Sequence, residues 1–167
     1  LLLIATRIPS NGQSQGEAVR FRDDPANRRI SVTVGNRPFT SYWYSDTLAK
    51  PILFPVETAS GRTITRGFPI APRPGERTDH PHQVGIWFTY EDVNGLDFWN
   101  NSYAVTGERR THLGWIRQDS VLEIRDGTPG ILRIRTYWEN PHGDRLLREV
   151  TTFTFSGDRH SRQIDRI

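Results

Sequence analysis

Apolar and polar residues alternate in short runs along most of this chain, and no window keeps its apolar residues at helical spacing for long. Ile30, Val32 and Val34 alternate with polar neighbours, and Gly35-Asn36 then provides a tight hairpin turn into residues 39–45. One buried and one solvated face is typical of antiparallel strands. We therefore expect these two segments to pair as a hairpin.

The second half of the chain repeats the alternating pattern. Leu132, Ile134, Thr136 and Trp138 are separated by residues of the opposite face, and residues 140–144 form a turn that contains Asn, Pro and Gly. Further strands are predicted at residues 84–90, 112–118, 120–125, 145–155 and 161–167. Repeated short strands of this kind predict an all-β fold, specifically an antiparallel β-sandwich.

The length of 167 residues is enough for one domain with a sizeable core. Residues 1–5 are apolar and a polar stretch follows, so residues 1–18 are interpreted as a signal-peptide remnant or a disordered lead, with a first strand or a fragment edge as the alternative. A signal peptide implies a periplasmic or secreted protein. Because the chain ends on apolar Ile167 within a predicted strand, residues 19–167 are interpreted as the N-terminal part of a single β-sandwich domain. Apolar residues such as Leu132 are then expected to lack their opposing sheet.

Composition narrows the classes of function. Cysteine is absent, which excludes disulfides, thiol catalysis and cysteine-ligated metal sites. The 22 basic residues, of which only Lys50 is a lysine, are scattered among 19 acidic residues, whereas nucleic-acid binding needs basic residues clustered on one face. Mean hydropathy is −0.62 and no apolar run is long enough to cross a bilayer. We therefore expect no nucleic-acid partner and no membrane span.

One loop contains the densest group of chemically active residues. Residues 67–82 include four prolines and two glycines, so they cannot form a regular strand or helix, and a loop this long inside a domain is usually functional. Pro81 predicts an extended conformation for His80, which would place His80 and His82 on the same side of the chain. Two imidazoles on one side can transfer protons or bind a metal, or they can brace the loop through backbone hydrogen bonds. Asp79 is expected to point to the opposite side.

Two further acid/base candidates lie outside this loop. Glu149 shares its predicted strand face with Thr151 and Phe153, and an acid on such a face lies either at a solvated strand end or in a functional site. His112 stands at the start of a predicted strand and joins the histidine group only if that strand pairs beside residues 84–90.

Aromatic residues make up 11% of the chain and provide candidate surfaces for sugar stacking. Most of them are expected in the core, and Trp87 and Trp99 are the candidates for substrate contact, together with Arg77 and Asp79 of the loop. Residues 92–97 superficially suggest a calcium loop, but the glycine falls too early and the terminal glutamate is missing. A turn that delivers Trp99 is the better interpretation.

Several ordered motifs resemble an uncharacterised bacterial domain family whose members are often labelled methane oxygenase PmoA. The resemblance rests on residues 50–55, 66–69, 75–82, 85–88, 92–99 and 146–149. It implies that this chain is the N-terminal part of a β-supersandwich related to galactose-mutarotase-like folds, with histidines and an acid acting on a sugar. The family usually has a second adjacent histidine and an arginine where this chain has Gln83 and Val84.

Three hypotheses for function follow. The first is an exported enzyme that acts on a carbohydrate by acid/base chemistry through His80, His82, His112 and Glu149. The second is a metal-dependent enzyme in which Asp79 or Glu76 joins the two loop histidines, the chemistry nearest to the oxygenase label. The third is a sugar-binding module without catalysis. Gln83 weakens a metal site because an amide is a poor ligand beside imidazole, so we expect no metal and no cofactor.

Overall fold

Eight strands in two sheets make up the regular part of the structure, a computed structural model that describes residues 15–167. In chain order the strands are β1 (Val19–Asp24), β2 (Arg29–Val34), β3 (Arg37–Trp43), β4 (Ile52–Val56), β5 (Trp115–Arg125), β6 (Gly130–Glu139), β7 (Arg145–Gly157) and β8 (Arg162–Arg166). All pairings are antiparallel, and each sheet is a meander in the orders β1-β2-β3-β4 and β5-β6-β7-β8. The predicted all-β class is confirmed.

The hairpin between β2 and β3 forms as its turn residues predict. Gly35 and Asn36 have φ values of 56° and 65°, the left-handed conformation that a two-residue hairpin turn requires at both central positions. Ile30, Val32 and Val34 of β2 are almost fully buried. The alternation in this part of the sequence therefore identified both the strand and its inward face.

One apolar core contains side chains from both sheets, which makes the arrangement sandwich-like. Val32 and Phe39 of the first sheet contribute to the same cluster as Leu132 and Phe155 of the second. Leu132, expected to lack an opposing sheet, is fully buried. That expectation was wrong because the first sheet covers this face of β6.

Three predicted strands differ from the structure. Residues 112–118 and 120–125 belong to a single strand, β5, which begins at Trp115 and contains two register shifts, while His112 closes the short 3-10 helix Gly107–His112. Residues 84–90 form no regular strand, only an isolated bridge between Leu53 and Ile86. Gly85 has a φ of 62°, so the chain leaves the extended conformation there and the side-chain alternation stops.

Residues 57–114 connect β4 to β5 without a regular strand, and we call them the 57–114 segment. Phe98 anchors this segment by packing 4.8 Å from Trp138 of β6, and Val84 packs on Phe54 of β4. Residues 1–14 of the predicted lead lie outside the described residues. In the rest of the lead, the Glu17 N–H donates a hydrogen bond to the Gly157 carbonyl. No helix among residues 15–167 has the length and apolar character needed to cross a membrane.

Candidate functional site

A tight turn brings the two loop histidines together. His80 has a φ of 50° and its carbonyl accepts a hydrogen bond from the N–H of Gln83 at 3.0 Å, so the predicted extended conformation of His80 was wrong. The Arg66 guanidinium donates to the carbonyls of Asp79 and His80 at 2.6 and 2.8 Å, and these bonds outweigh the local preference that Pro81 imposes. The rings of His80 and His82 nevertheless lie 5.7 Å apart, as neighbours.

Asp79 contacts His80 directly. Its Oδ2 lies 3.1 Å from His80 Nδ1 and 2.6 Å from an Arg77 nitrogen, and its Oδ1 lies 3.4 Å from Arg66. The expectation that Asp79 points away from His80 was wrong because the turn replaces the extended backbone on which it rested. Desolvation acts to raise the pKa of Asp79, but Arg77, His80 and Arg66 together outweigh it and hold the pKa below its ordinary value. Asp79 is therefore a carboxylate at neutral pH.

The Asp79–His80 pair has the geometry of an oriented base. A carboxylate bound to Nδ1 favours the imidazole tautomer that carries its proton there, which leaves Nε2 able to accept a proton. The His80 side chain is 55% exposed, so small molecules can reach it. This arrangement can remove a proton from a substrate and return it.

Glu76 stabilises the loop instead of joining the histidines. Its carboxylate accepts hydrogen bonds from the backbone N–H groups of Gly67, Phe68 and Arg73 at 2.8 to 3.3 Å. These bonds, that of Gly67 most strongly, lower the pKa of Glu76. Within residues 15–167, no three or more His, Asp or Glu side chains are arranged so that they could hold a metal ion.

Lys50 belongs to the site, although the sequence motifs had not identified it as a site residue. It is 5% exposed, its Nζ donates to the carbonyls of Phe98 and Trp99 at 3.0 and 2.7 Å, and the ammonium lies 4.2 Å from the Trp87 ring centroid. Burial lowers the pKa of Lys50 to about 8, although Asp97 opposes the shift. The sequence did contain one feature that distinguishes this residue, because Lys50 is the only lysine of the chain.

Lys50 also connects the aromatic residues to the histidines. Lys50 and His82 line one small cavity. Desolvation lowers the pKa of His82, and the charge of Lys50 lowers it further, so His82 is an uncharged imidazole at neutral pH. Trp87, beneath Lys50, packs edge-to-face on Trp99 with ring centroids 4.6 Å apart.

An open cleft of about 660 Å³ lies over the two tryptophans. Gln83, which directly follows His82, borders it, and Trp87 and Trp99 line it together with Phe88 and Tyr90. Trp99 is 42% exposed, so part of its ring is free for stacking. Exposed aromatic rings are suited to hold a sugar, since one face of a sugar ring is apolar and its edge carries hydroxyls. The cleft connects to the histidine pair only through His82, Lys50 and Trp87.

The structure brings together six of the eight predicted site residues and separates two. The six are Arg77, Asp79, His80, His82, Trp87 and Trp99. His112 is exposed at the end of its 3-10 helix, where its carbonyl accepts the N–H of Asp97 at 2.8 Å. Glu149 lies between the sheets, behind residues 86–88. No described contact joins either of these two to His80 or His82.

Comparison with known proteins identifies a family and no function. Residues 29–167 match the model of a family of unknown function, DUF6807. Neither the curated proteins nor the solved structures contain a match to the chain.

Proposed function

The chain belongs to the DUF6807 family, and on the geometry of its loop site we propose that it is an enzyme acting on a carbohydrate by acid/base chemistry. The observation that carries the proposal is the Asp79–His80 pair, which two arginines hold in place. The aromatic cleft begins at Gln83, three residues further along the chain. The proposal has two further parts. The fold is related to galactose-mutarotase-like folds, as the family resemblance implies, and the protein is exported, with the apolar residues 1–5 as the remnant of a signal peptide.

The simplest reaction of this class is the ring opening of an aldose. His80 Nε2 takes the proton of the anomeric hydroxyl, the bond between C1 and the ring oxygen breaks, and the ring oxygen receives a proton from a second group. The second group is a solvent water oriented by His82, since a neutral imidazole is too weak an acid to lose its own N–H, and the hydroxide left by this water takes the proton that His80 holds. Reversal after rotation about the C1–C2 bond gives the other anomer, so atoms and protons balance without a cofactor.

The remaining residues bind and orient the sugar. Trp87 and Trp99 contact its apolar face. The Arg77 side chain is 85% exposed and bonded to Asp79 by one nitrogen, so its other N–H groups are available to sugar hydroxyls. Lys50 holds the Phe98–Trp99 backbone and thereby the cleft wall.

The test is the mutarotation of α-D-galactose, followed by polarimetry with the 167-residue chain. We expect the rate above the spontaneous reaction to fall by about 100-fold or more in His80→Gln, because general acid/base groups typically contribute that much. Asp79→Asn should also lower it, through loss of the oriented tautomer. The matched control is His142→Gln, because His142 is an exposed histidine in the turn at residues 140–144. This variant should keep full activity.

Other outcomes contradict the proposal in distinguishable ways. Full activity in His80→Gln with a lower melting temperature would mean that the histidine only braces the loop. Galactose binding that survives His80→Gln but is lost in Trp99→Ala, without turnover by the unmodified chain, would indicate a binding module. Activity abolished by a chelator and restored by a transition metal would favour the metal-dependent hypothesis.

A further inference from the structure

The inward face of the second sheet carries a polar row on an otherwise largely apolar surface. Gln118, Thr136 and Glu149 are direct neighbours across β5, β6 and β7. Side chains in such a row lie about 5 Å apart at their Cβ atoms, so they form one continuous polar strip. Buried polar groups need hydrogen-bond partners, because an unpaired group loses its water without compensation.

Glu149 has its partners. Its Oε2 accepts a hydrogen bond from the Trp138 indole N–H at 2.7 Å, and its Oε1 accepts from the Thr151 hydroxyl and from Arg166. The ion pair with Arg166 leaves this part of the row without net charge. A charged occupant would therefore have no counter-charge here.

The other end of the row is incompletely paired. Tyr42 of the first sheet donates its hydroxyl proton to Gln118 Oε1 at 2.7 Å, and burial, with the charge of Glu149, raises the pKa of Tyr42 well above its ordinary value. Gln118 Nε2 and Thr136 Oγ1 are buried and have no partner among the described residues. Thr136 is only 3% exposed, so bulk solvent cannot satisfy it.

A cavity of about 60 Å³ lies in front of Thr136, although Gln118 is not among the residues that line it. Thr136, Glu149 and Thr151 line its polar side, apolar side chains such as Ile134 line the rest, and Phe88 stands at the edge with the Arg166 guanidinium 4.1 Å from its ring centroid. One water needs about 10–15 Å³ on this measure and benzene fits a cavity of about 150 Å³. The space therefore suits a group of a few heavy atoms.

We propose that this inter-sheet cavity binds the hydroxyl group of a small neutral ligand, namely a short alcohol or the hydroxymethyl arm of a larger molecule. The hydroxyl oxygen accepts a hydrogen bond from Thr136 Oγ1 and its proton is donated to Glu149, while the alkyl part contacts the apolar wall. The proposal is independent of the acid/base function, since it uses none of the loop histidines.

The probe is 1-propanol, titrated into the ¹⁵N-labelled 167-residue chain and followed by amide and indole chemical shifts. We expect saturable shifts at Thr136, Thr151 and the Trp138 indole. Thr136→Val keeps the shape and removes the hydroxyl, so its affinity for 1-propanol should fall roughly three- to tenfold, the value of one buried hydrogen bond. Thr136→Ser, which keeps the hydroxyl, and Thr152→Val, on the outward face of β7, should bind as the unmodified chain does.

A second experiment, urea unfolding without alcohol, distinguishes a ligand-binding cavity from a cavity that holds an internal water. If the Thr136 hydroxyl is unpartnered in the free protein, Thr136→Val should unfold at an equal or higher urea concentration. A clearly lower midpoint would show that the hydroxyl already has a bound water, and the cavity would be a hydration site. Equal 1-propanol affinity in Thr136→Val, or shifts spread over the surface without saturation, would also overturn the proposal.

Discussion

The eight-stranded frame and the 57–114 segment differ in how they treat their apolar side chains. In much of the frame, alternation directs every second residue inward, and Leu132 and Ile134 of β6 are 0% and 3% exposed, although Leu122, Leu147 and Val150 of β5 and β7 are more than 40% exposed. The segment has more large apolar side chains at the surface. They are Ile64, Ile86, Phe88, Tyr90, Trp99 and Tyr103, each more than 40% exposed.

The two regions also differ in what satisfies their backbone. The strands use ladder hydrogen bonds, whereas the segment depends on charged side chains that bind backbone groups. Glu76 accepts from three N–H groups, Arg66 donates to three carbonyls, and Lys50 donates to two. Packing and ladder bonds therefore hold the frame, whereas the segment that contains the candidate site depends on ionic hydrogen bonds in addition to the packing of Phe98 and Val84.

The largest expected effect is a core substitution in the frame. Leu132→Ala removes a fully buried side chain that joins both sheets, so the free energy of unfolding should fall by about 2–5 kcal/mol. Urea denaturation measures it. Ile64→Ala, in the segment and 63% exposed, is the control and should change stability by no more than about 0.5 kcal/mol. Similar losses in both variants would remove the contrast between the regions.

Lys50, which precedes β4 and binds two carbonyls of the segment, predicts a pH dependence of stability. Its pKa is about 8 in the folded chain and 10.5 in the reference state, so between these values the unfolded state binds more protons and stability rises with pH. The full shift corresponds to a gain on the order of 3 kcal/mol. Urea unfolding of Lys50→Met should lack this rise. An equal slope in both proteins would show that other groups cause it.

Gly85 tests how the segment is attached to the frame. A Cβ at this position would lie 2.5 Å from the Leu53 carbonyl oxygen, and the φ of 62° is already unfavourable for a side chain. Gly85→Ala should therefore cost about 1–3 kcal/mol and break the Leu53–Ile86 bridge, seen as faster amide exchange at both residues. Gly95→Ala is the matched control, with a φ of 77° and no atom within 4 Å, and should cost less. Equal losses of stability in the two variants would show that the positive φ, and not the contact with Leu53, causes the effect.

The smallest effect is acid sensitivity of the loop. The pKa of Glu76 is lowered in the folded chain, so its contribution is present above the reference value of 4.5 and is lost as pH falls through the lowered value. Amide exchange of Gly67 and Phe68 should accelerate in this range before that of Val32 in the frame. Glu76→Gln should show no such pH step. Simultaneous loss of protection in both regions would mean that they unfold as one unit.

The sequence determined much of the frame because strand alternation and turn chemistry are local, although β1 and β4 were not predicted and β5 was predicted as two strands. The positions of β2, β6, β7 and β8 follow from their inward residues, and the turn at Gly35-Asn36 needs the left-handed conformation that these two residues accept. The same local rules failed at residues 84–90, where Gly85 ends an apparently regular strand.

The sequence also identified the candidate residues His80, His82 and Asp79, since they stand together in one proline-rich loop. Only the tertiary structure decided their geometry. Arg66, thirteen residues before Asp79, holds the turn through long-range hydrogen bonds, and the carboxylate reaches the imidazole because of that turn. Lys50 contacts Trp87 and the Phe98 carbonyl, which are distant from it in sequence. Glu149 lies behind residues 86–88 of the segment, and no described contact joins it to the two histidines. Local preferences are short-ranged, so contacts between residues distant in sequence exist only once the two sheets and the segment have packed.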